Sequence, residues 1–432
     1  MKVLYVGDNR DSMNWGGRGQ SIALYQLLER GFEISDVIVG ATVMYVGATR
    51  GYVGTLLPLK YFSFLHDVRE KIKVVNWYLK IEERFGARDF ITDDPSESAE
   101  TLLRYRLKNP GFGEIYRQMR EADLVVINGE GSGIFRTPFR RDFFFYLAMI
   151  ELAVRLNKRV FYVNGIISDC PFTGRNNKNF DSARKTLAKC RAVLVRDPES
   201  LDYLQKEMPE VRCDYIPDAL FTWFSIYERF GSCVPPNGDF IIPPPENNEY
   251  FGKLDFSKPY ICIGGSSWAA EFQEQAVSHY LQLLKGVREL GYPVYLTQNC
   301  GGDRFLREVA RQSGCGLVPW NTPIMMAGAV LANAQLFISG RFHPTIFASL
   351  GGTPCVFLEA HSHKMASLQR TLEYANPKQF SAMPEDRDIA QIIALSEQYI
   401  RENPSLREKN KAVVAKRCEE ARRLPQRILD YL

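Results

Sequence analysis

Leu336-Phe337-Ile338-Ser339-Gly340-Arg341-Phe342-His343-Pro344-Thr345-Ile346-Phe347-Ala348-Ser349-Leu350-Gly351-Gly352-Thr353-Pro354-Cys355-Val356-Phe357-Leu358 is the most informative run in the chain. The apolar Leu336-Phe337-Ile338 reads as a buried strand ending at a Ser-Gly turn. An apolar helical pattern follows, then Gly-Gly, then a second short strand, Cys355–Leu358. Arg341 and His343 therefore stand where a strand hands over to a helix. Backbone N–H groups are free there and the helix dipole favours anions. An arginine and a titratable histidine at that point make an anion site. The same two residues also fit an arginine paired with a local carboxylate and a histidine capping the helix.

The strand–helix alternation extends outward in both directions. Downstream of residue 259 it takes in strands at Tyr260–Ile263 and Pro293–Thr297, with helices at Gln273–Glu289, from Arg304, and at Met325–Leu331. In the first half the expected strands are Val3–Val6, Asp123–Ile127, Val160–Val163, Ala192–Val195 and Cys213–Ile216. The helices there are Gln20–Leu28, Asp142–Leu156, Lys185–Lys189 and one opened by Pro198. Short apolar strands alternating with helices imply parallel sheets covered on both faces. Pro235-Pro236, Asn237-Gly238 and Pro243-Pro244-Pro245 signal a linker. The expected organisation is an N-terminal α/β domain over 1–225, a Pro-rich linker over 226–258 and a C-terminal α/β domain over 259–432 ending in helices. A stretch at about 49–113, rich in Tyr, Phe, Arg and Lys, breaks the alternation and reads as an insertion, at the cleft or as a structural cover. Two doubly wound (Rossmann-like) domains facing a cleft make a glycosyltransferase-B-like architecture. Ligands in such sheets bind beyond the carboxyl ends of the strands.

Composition narrows the function. At 432 residues two domains are the default. The net charge is +4, and residues 401–432 hold nine Lys/Arg against five Asp/Glu, so the excess matches that segment. This is no nucleic-acid footprint. It is compatible with a solvated helix, a peripheral membrane contact or a homo-oligomer face. Nine Cys without a CxxC pair speak against zinc and against a disulfide framework, and fit a reducing cytoplasm. Met1–Val6 runs into Gly-Asp and is a strand rather than a signal peptide. No run is long enough to span a membrane; the most apolar, Phe143–Ile150, stops at Glu151.

Four more loops at strand ends carry chemistry. Asn14-Trp15-Gly16-Gly17-Arg18-Gly19 offers close backbone approach and a guanidinium fork. Asn128-Gly129-Glu130-Gly131-Ser132-Gly133 lacks the third glycine of a dinucleotide fingerprint, at Ile134, but presents Glu130 as a base for a hydroxyl. Val195-Arg196-Asp197-Pro198 puts Asp197 at a helix cap and aims Arg196 into the cleft, or into a structural Arg–Asp pair. Glu359-Ala360-His361-Ser362-His363-Lys364 holds an HxH pair, but no further cluster completes a metal site. Lys364 is the better reading there, as a phosphate partner. Arg196, Arg341 and Lys364, with His343 among them, suit a small anion carrying phosphate and carboxylate.

Ser339-Gly340-Arg341-Phe342-His343-Pro344 resembles the S-x-R-x-H signature of the polysaccharide pyruvyl transferase family. The loop Asn128–Ser132, Arg196-Asp197-Pro198 followed by Pro217-Asp218, Gly351-Gly352-Thr353-Pro354 and Lys364 match the family's order. The resemblance runs in patches from about Asn14 to about Leu368. It departs near the N-terminus, where the family's N-x-G-D reads Asn14-Trp15-Gly16-Gly17. The resemblance implies a glycosyltransferase-B-like transferase of bacterial surface polysaccharide biosynthesis (exopolysaccharide, capsule or cell wall). Such an enzyme would be expected in the cytoplasm, or at the inner face of the membrane. Phosphoenolpyruvate is the implied donor, and no cofactor or metal is expected. The acceptor is a saccharide, free or linked to lipid or nucleotide. The resemblance also implies that Arg196, Arg341 and Lys364 hold phosphoenolpyruvate and that His343 is catalytic; Glu130 is read beside it as the catalytic base, and Asn14, Gly16, Arg18, Gly129 and Ser132 as acceptor-side or loop residues. The alternatives are a nucleotide-sugar glycosyltransferase, for which only Glu359 stands near the expected glutamates, and a non-catalytic saccharide-binding relative.

Overall fold

The computed structural model describes residues 1–40, 48–50, 73–74, 77, 87–231, 233–236, 238 and 254–432. In chain order its strands are β1 (Lys2–Asp8), β2 (Glu33–Val39), β3 (Ala48–Arg50), β4 (Ala87–Asp89), β5 (Leu124–Asn128), β6 (Gly133–Phe135), β7 (Arg159–Gly165), β8 (Ile167–Asp169), β9 (Ala192–Val195) and β10 (Cys213–Tyr215). The second half adds β11 (Ile261–Ser266), β12 (Val294–Thr297), β13 (Gly316–Val318), β14 (Leu336–Gly340), β15 (Cys355–Leu358) and β16 (Gln379–Phe380). Two six-stranded sheets form, in the orders β10-β9-β7-β5-β1-β2 and β13-β12-β11-β14-β15-β16. Every pairing within them is parallel. Two-stranded ribbons, β3-β4 and β6-β8, complete the strands. This is the doubly wound, glycosyltransferase-B-like architecture expected from the alternation.

The central strands are apolar throughout because both sheet faces are covered. Alternate residues serve different cores. Val3 and Tyr5 face one cluster while Leu4 and Val6 face another. The first cluster runs through both halves, joining Tyr5 and Leu24 to Phe337 and Phe347. Two further large clusters cover the outer face of each sheet. Sequence reading overlooked β2, whose Glu33, Ser35 and Asp36 are those of an edge strand kept from further pairing by charge. It also placed a helix at Lys185–Lys189 that starts earlier, at Asn177, where Asn176 caps it.

Most of the stretch at 51–86 lies outside the described residues, as does the segment 239–253 of the expected linker. The described end of the insertion is cover for the core. Phe90, Ile91, Ala99, Leu102 and Phe112 enter the outer cluster of the first sheet, and helix Pro95–Tyr105 packs on helix Arg141–Arg155. Pro404 and Pro425 open new helices, Asn403–Ala421 and Leu424–Asp430. The last helix returns to the first half. Leu424 and Ile428 join Leu24, Leu27 and Leu28 in the shared core, and Arg427 pairs with Asp214 of β10 at 2.6 Å. Full burial of such aliphatic side chains stabilises by roughly 1.5–3 kcal/mol each. Among the described residues no helix is long and apolar enough to cross a membrane.

Candidate active site

The carboxyl ends of both sheets converge on a polar cavity of 580 Å³, within the size range of small-ligand sites. Its walls come from loops that each follow a strand: Asn14 after β1, Glu130 and Ser132 after β5, Gly302 after β12, Arg341 after β14, and Lys364 after β15. Five of the ten residues singled out from sequence thus meet here.

Arg341 occupies the cap position of helix Phe342–Leu350 without using its side chain as a cap. The guanidinium turns to Asp303, donating from Nε at 3.0 Å and from Nη2 at 2.6 Å. Asp303 is fully buried. Burial works against the Arg341 charge, but Asp303 outweighs it and raises the arginine further. The sequence alternative of a paired arginine is therefore realised, while part of the side chain still faces the cavity.

Lys364 has no hydrogen-bond partner for its ammonium group among the described residues. Burial, then the positive charges of Arg341, Arg196 and Arg140, push it down to about 7. Arg140 adds a third cation, donating to Asp142 at 2.7 Å and to the Gly131 carbonyl at 3.1 Å. Sequence reading missed it. The signal was Arg140-Arg141 at a helix start, where the dipole disfavours positive charge. An arriving anion would relieve the mutual repulsion and recharge Lys364.

Glu130 sits at φ +45°, a left-handed conformation that costs a non-glycine residue roughly 1–2 kcal/mol. Asn9 holds its carboxylate, Nδ2 donating to Oε2 at 2.9 Å. Ser132 donates back to the Gly129 carbonyl at 2.5 Å. A Cβ on Gly129 would fall 2.1 Å from the Tyr162 ring, so glycine is required there. Strain of this kind, over-determined by its surroundings, concentrates at functional sites.

The structure corrects the picture of three open cations around one anion. Arg196 and His343 do not line the cavity: they are 2 % and 7 % exposed and form a buried cluster with Asp218. Arg196 Nη1 donates to Asp218 Oδ2 at 2.9 Å. His343 Nε2 lies 2.7 Å from the same Nη1 and 3.2 Å from Asp218 Oδ2. Arginine can only donate. Nε2 therefore accepts from Arg196 when it carries no proton and donates to Asp218 when it carries one. Burial pushes the Asp218 carboxyl up, but His343 and then Arg196 outweigh it and hold it below the usual carboxylate range. Two glycines stand beside this cluster. A Cβ on Gly16 would stand 2.5 Å from His343 Nδ1, and one on Gly131 would stand 3.8 Å from Arg196 Nη2. Arg18 lies one turn into helix Trp15–Leu28, where Asn14 is the cap, and does not line the cavity.

The HxH pair diverges. His361 lines the cavity, while His363 lies 3.0 Å from Asp197 on the other side. Burial, then Lys364 and the surrounding arginines, push His361 down to about 3. It is neutral at pH 7, so its 3.4 Å approach to Glu271 is not an ion pair. Glu359, the glutamate of the nucleotide-sugar alternative, lines a neighbouring cleft instead.

A family model described as polysaccharide pyruvyl transferase matches residues 55–362, well over half of the chain. No curated protein matches. Among solved structures, the UDP-GlcNAc 2-epimerase of Neisseria meningitidis aligns over 100 % of this chain and 99 % of its own, at 10 % identity and a TM-score of 0.55. An α,α-trehalose-phosphate synthase (UDP-forming) of Burkholderia vietnamiensis aligns over 100 % and 98 %, at 11 % identity and a TM-score of 0.53. At such identities these likenesses concern the fold.

Proposed function

The chain belongs to the polysaccharide pyruvyl transferase family, and we propose that it moves the pyruvyl group of phosphoenolpyruvate onto two hydroxyls of a saccharide, as a ketal. The observation that carries the reading is the convergence on one cavity, which also holds Glu130, of Arg341, Arg140 and a Lys364 ammonium without a hydrogen-bond partner among the described residues. Such a cavity fits a compact trianion beside a polyol.

In this reading Arg341 and Lys364 hold the phosphate and carboxylate of the donor, and Arg140 adds a third positive charge. A proton goes to C3, and C2 becomes an oxocarbenium-like centre. A sugar hydroxyl adds at C2 while Glu130 takes its proton. The C2–O bond to phosphate breaks, phosphate leaves dressed by the cations, and a neighbouring hydroxyl closes the ring, its proton passing to the departing phosphate. Fixed cations around a leaving phosphate supply the largest share of the rate. Holding two hydroxyls at one carbon supplies much of the rest.

His343 is assigned the C3 proton. Asp218 supports that role by orienting the ring through Nε2, and residue 16, beside Nδ1, carries no side chain. Incubation with phosphoenolpyruvate and candidate saccharides, read by mass for the added pyruvyl group and by released phosphate, tests the reaction. Ketal formed at the parent rate by His343→Ala removes the histidine from it. Absence of any phosphoenolpyruvate binding removes the donor.

A further inference from the structure

The segment between β15 and helix Lys364–Thr371 separates two cavities. His361 and Lys364 face the cationic one, whereas Ala360, Ser362 and His363 face a second cleft of 430 Å³ between the same two halves. An aromatic pair continues this partition. Phe172 of the first half lines the second cleft and stacks on Trp268 of the second half, with ring centroids 3.5 Å apart and planes within 5°. Trp268 in turn meets the edge of His361, at 5.5 Å and 89°. Rings left to themselves favour offset or edge-on contacts at longer separations. A flat, face-to-face pair with Phe172 39 % exposed therefore presents an oriented aromatic surface.

The two cavities differ in charge. Among the described residues lining the second cleft, none is Lys or Arg. It offers Asp169, Glu359 and Gln379 beside Phe172 and Tyr203. Asp169 is already oriented, accepting from Tyr203 Oη at 2.7 Å and from Arg175 Nε at 2.9 Å. His363 is held by Asp197 at 3.0 Å and Ser200 at 3.1 Å. Among the described lining residues an anion would find no lysine or arginine to meet it. A polyol would find carboxylate and amide groups for its hydroxyls and an apolar ring for its C–H face.

We propose that this second cleft binds an uncharged sugar residue of the acceptor, next to the residue that receives the pyruvyl group. The proposal rests on a saccharide acceptor, as in the proposed function. It goes further in naming where a neighbouring unit sits and what recognises it. The partition then divides donor from acceptor chain: charge on one side, hydroxyls and ring faces on the other.

The test uses neutral disaccharides (mannobiose, galactobiose and N,N′-diacetylchitobiose) titrated without phosphoenolpyruvate, followed by tryptophan emission and by calorimetry. At least one binds saturably, and Phe172→Ala weakens it about tenfold. Phosphoenolpyruvate titrates unchanged in that variant. Because Phe172 is partly exposed, the fold should survive; Gln379→Ala provides an independent reading. No saturable disaccharide binding, equal affinity in both variants, or displacement of the sugar by inorganic phosphate overturns the proposal. Since no donor is present, a failure of ketal chemistry leaves the sugar result standing, and a failure of sugar binding leaves the ketal reading standing.

Discussion

Asp218→Asn tests the buried cluster most directly. Asp218 is fully buried and makes two kinds of contact. Oδ1 caps the 3-10 turn at Leu220 N, 2.9 Å away, and Oδ2 meets Arg196 and His343. The amide keeps an oxygen for Leu220, so the substitution isolates the charge. Arg196 is then left buried without its carboxylate, with Nε already lacking a partner. Breaking one side of a buried ion pair costs about 3–5 kcal/mol. Replacing both partners by groups of similar shape is often close to neutral. Arg196→Met/Asp218→Asn should therefore be more stable than Asp218→Asn alone, by at least half of that loss. Urea unfolding at pH 7, followed by both circular dichroism and tryptophan emission, gives the comparison. The pH dependence has a fixed sign. The folded carboxyl lies below its ordinary range, so its stabilisation is complete above the unfolded value of about 3.9. It is lost as pH falls through the lower folded value. The gap between parent and Asp218→Asn should thus close only on acidification below about pH 4. A loss under about 1 kcal/mol, or a double variant no better than the single, refutes the reasoning.

Three further outcomes are expected. Lys364, held down at about 7, should take up a proton when phosphoenolpyruvate binds at pH 8, and affinity should fall as pH rises beyond 7. Calorimetry in buffers of different ionisation heat reads the uptake, and Lys364→Arg should abolish it. Glu130→Gln should lower ketal turnover by about 10²–10⁴ with donor affinity retained, read by phosphate release and titration; a loss of only a few-fold removes Glu130 as base. Gly16→Ala would place a Cβ 2.5 Å from His343 Nδ1 and should cost about 1–3 kcal/mol of stability. Turnover should fall with it, while binding of phosphoenolpyruvate at Arg341 and Lys364 is retained.

The strand-end loops were legible in the sequence because a parallel sheet puts every carboxyl end on one side. Position along the chain was enough to bring Asn14, Glu130, Arg341 and Lys364 to one cavity. The charge partners were not legible. Asp303 lies 38 residues before Arg341 and Asp218 lies 125 before His343, and nothing local marks either pairing. For that reason Arg196 read as an open cation when it is already paired with Asp218. The split of His361 from His363 has the same origin. The spacing of an HxH pair suggests convergence, but the partners that turn each ring belong to other elements. Edge strands such as β2 were missed because their polar residues serve solvent.

The return of the last helix to the first half has a consequence for synthesis. Leu424 and Ile428 close the core against Leu24, Leu27 and Leu28, yet they are translated almost 400 residues later. At ribosomal speed that interval is roughly 20–80 s. Throughout it the nascent first half carries an uncovered apolar strip. The N-terminal half therefore cannot close its core until residues 424–430 have been made, and loss of that helix would leave a flaw at the opposite end of the sequence.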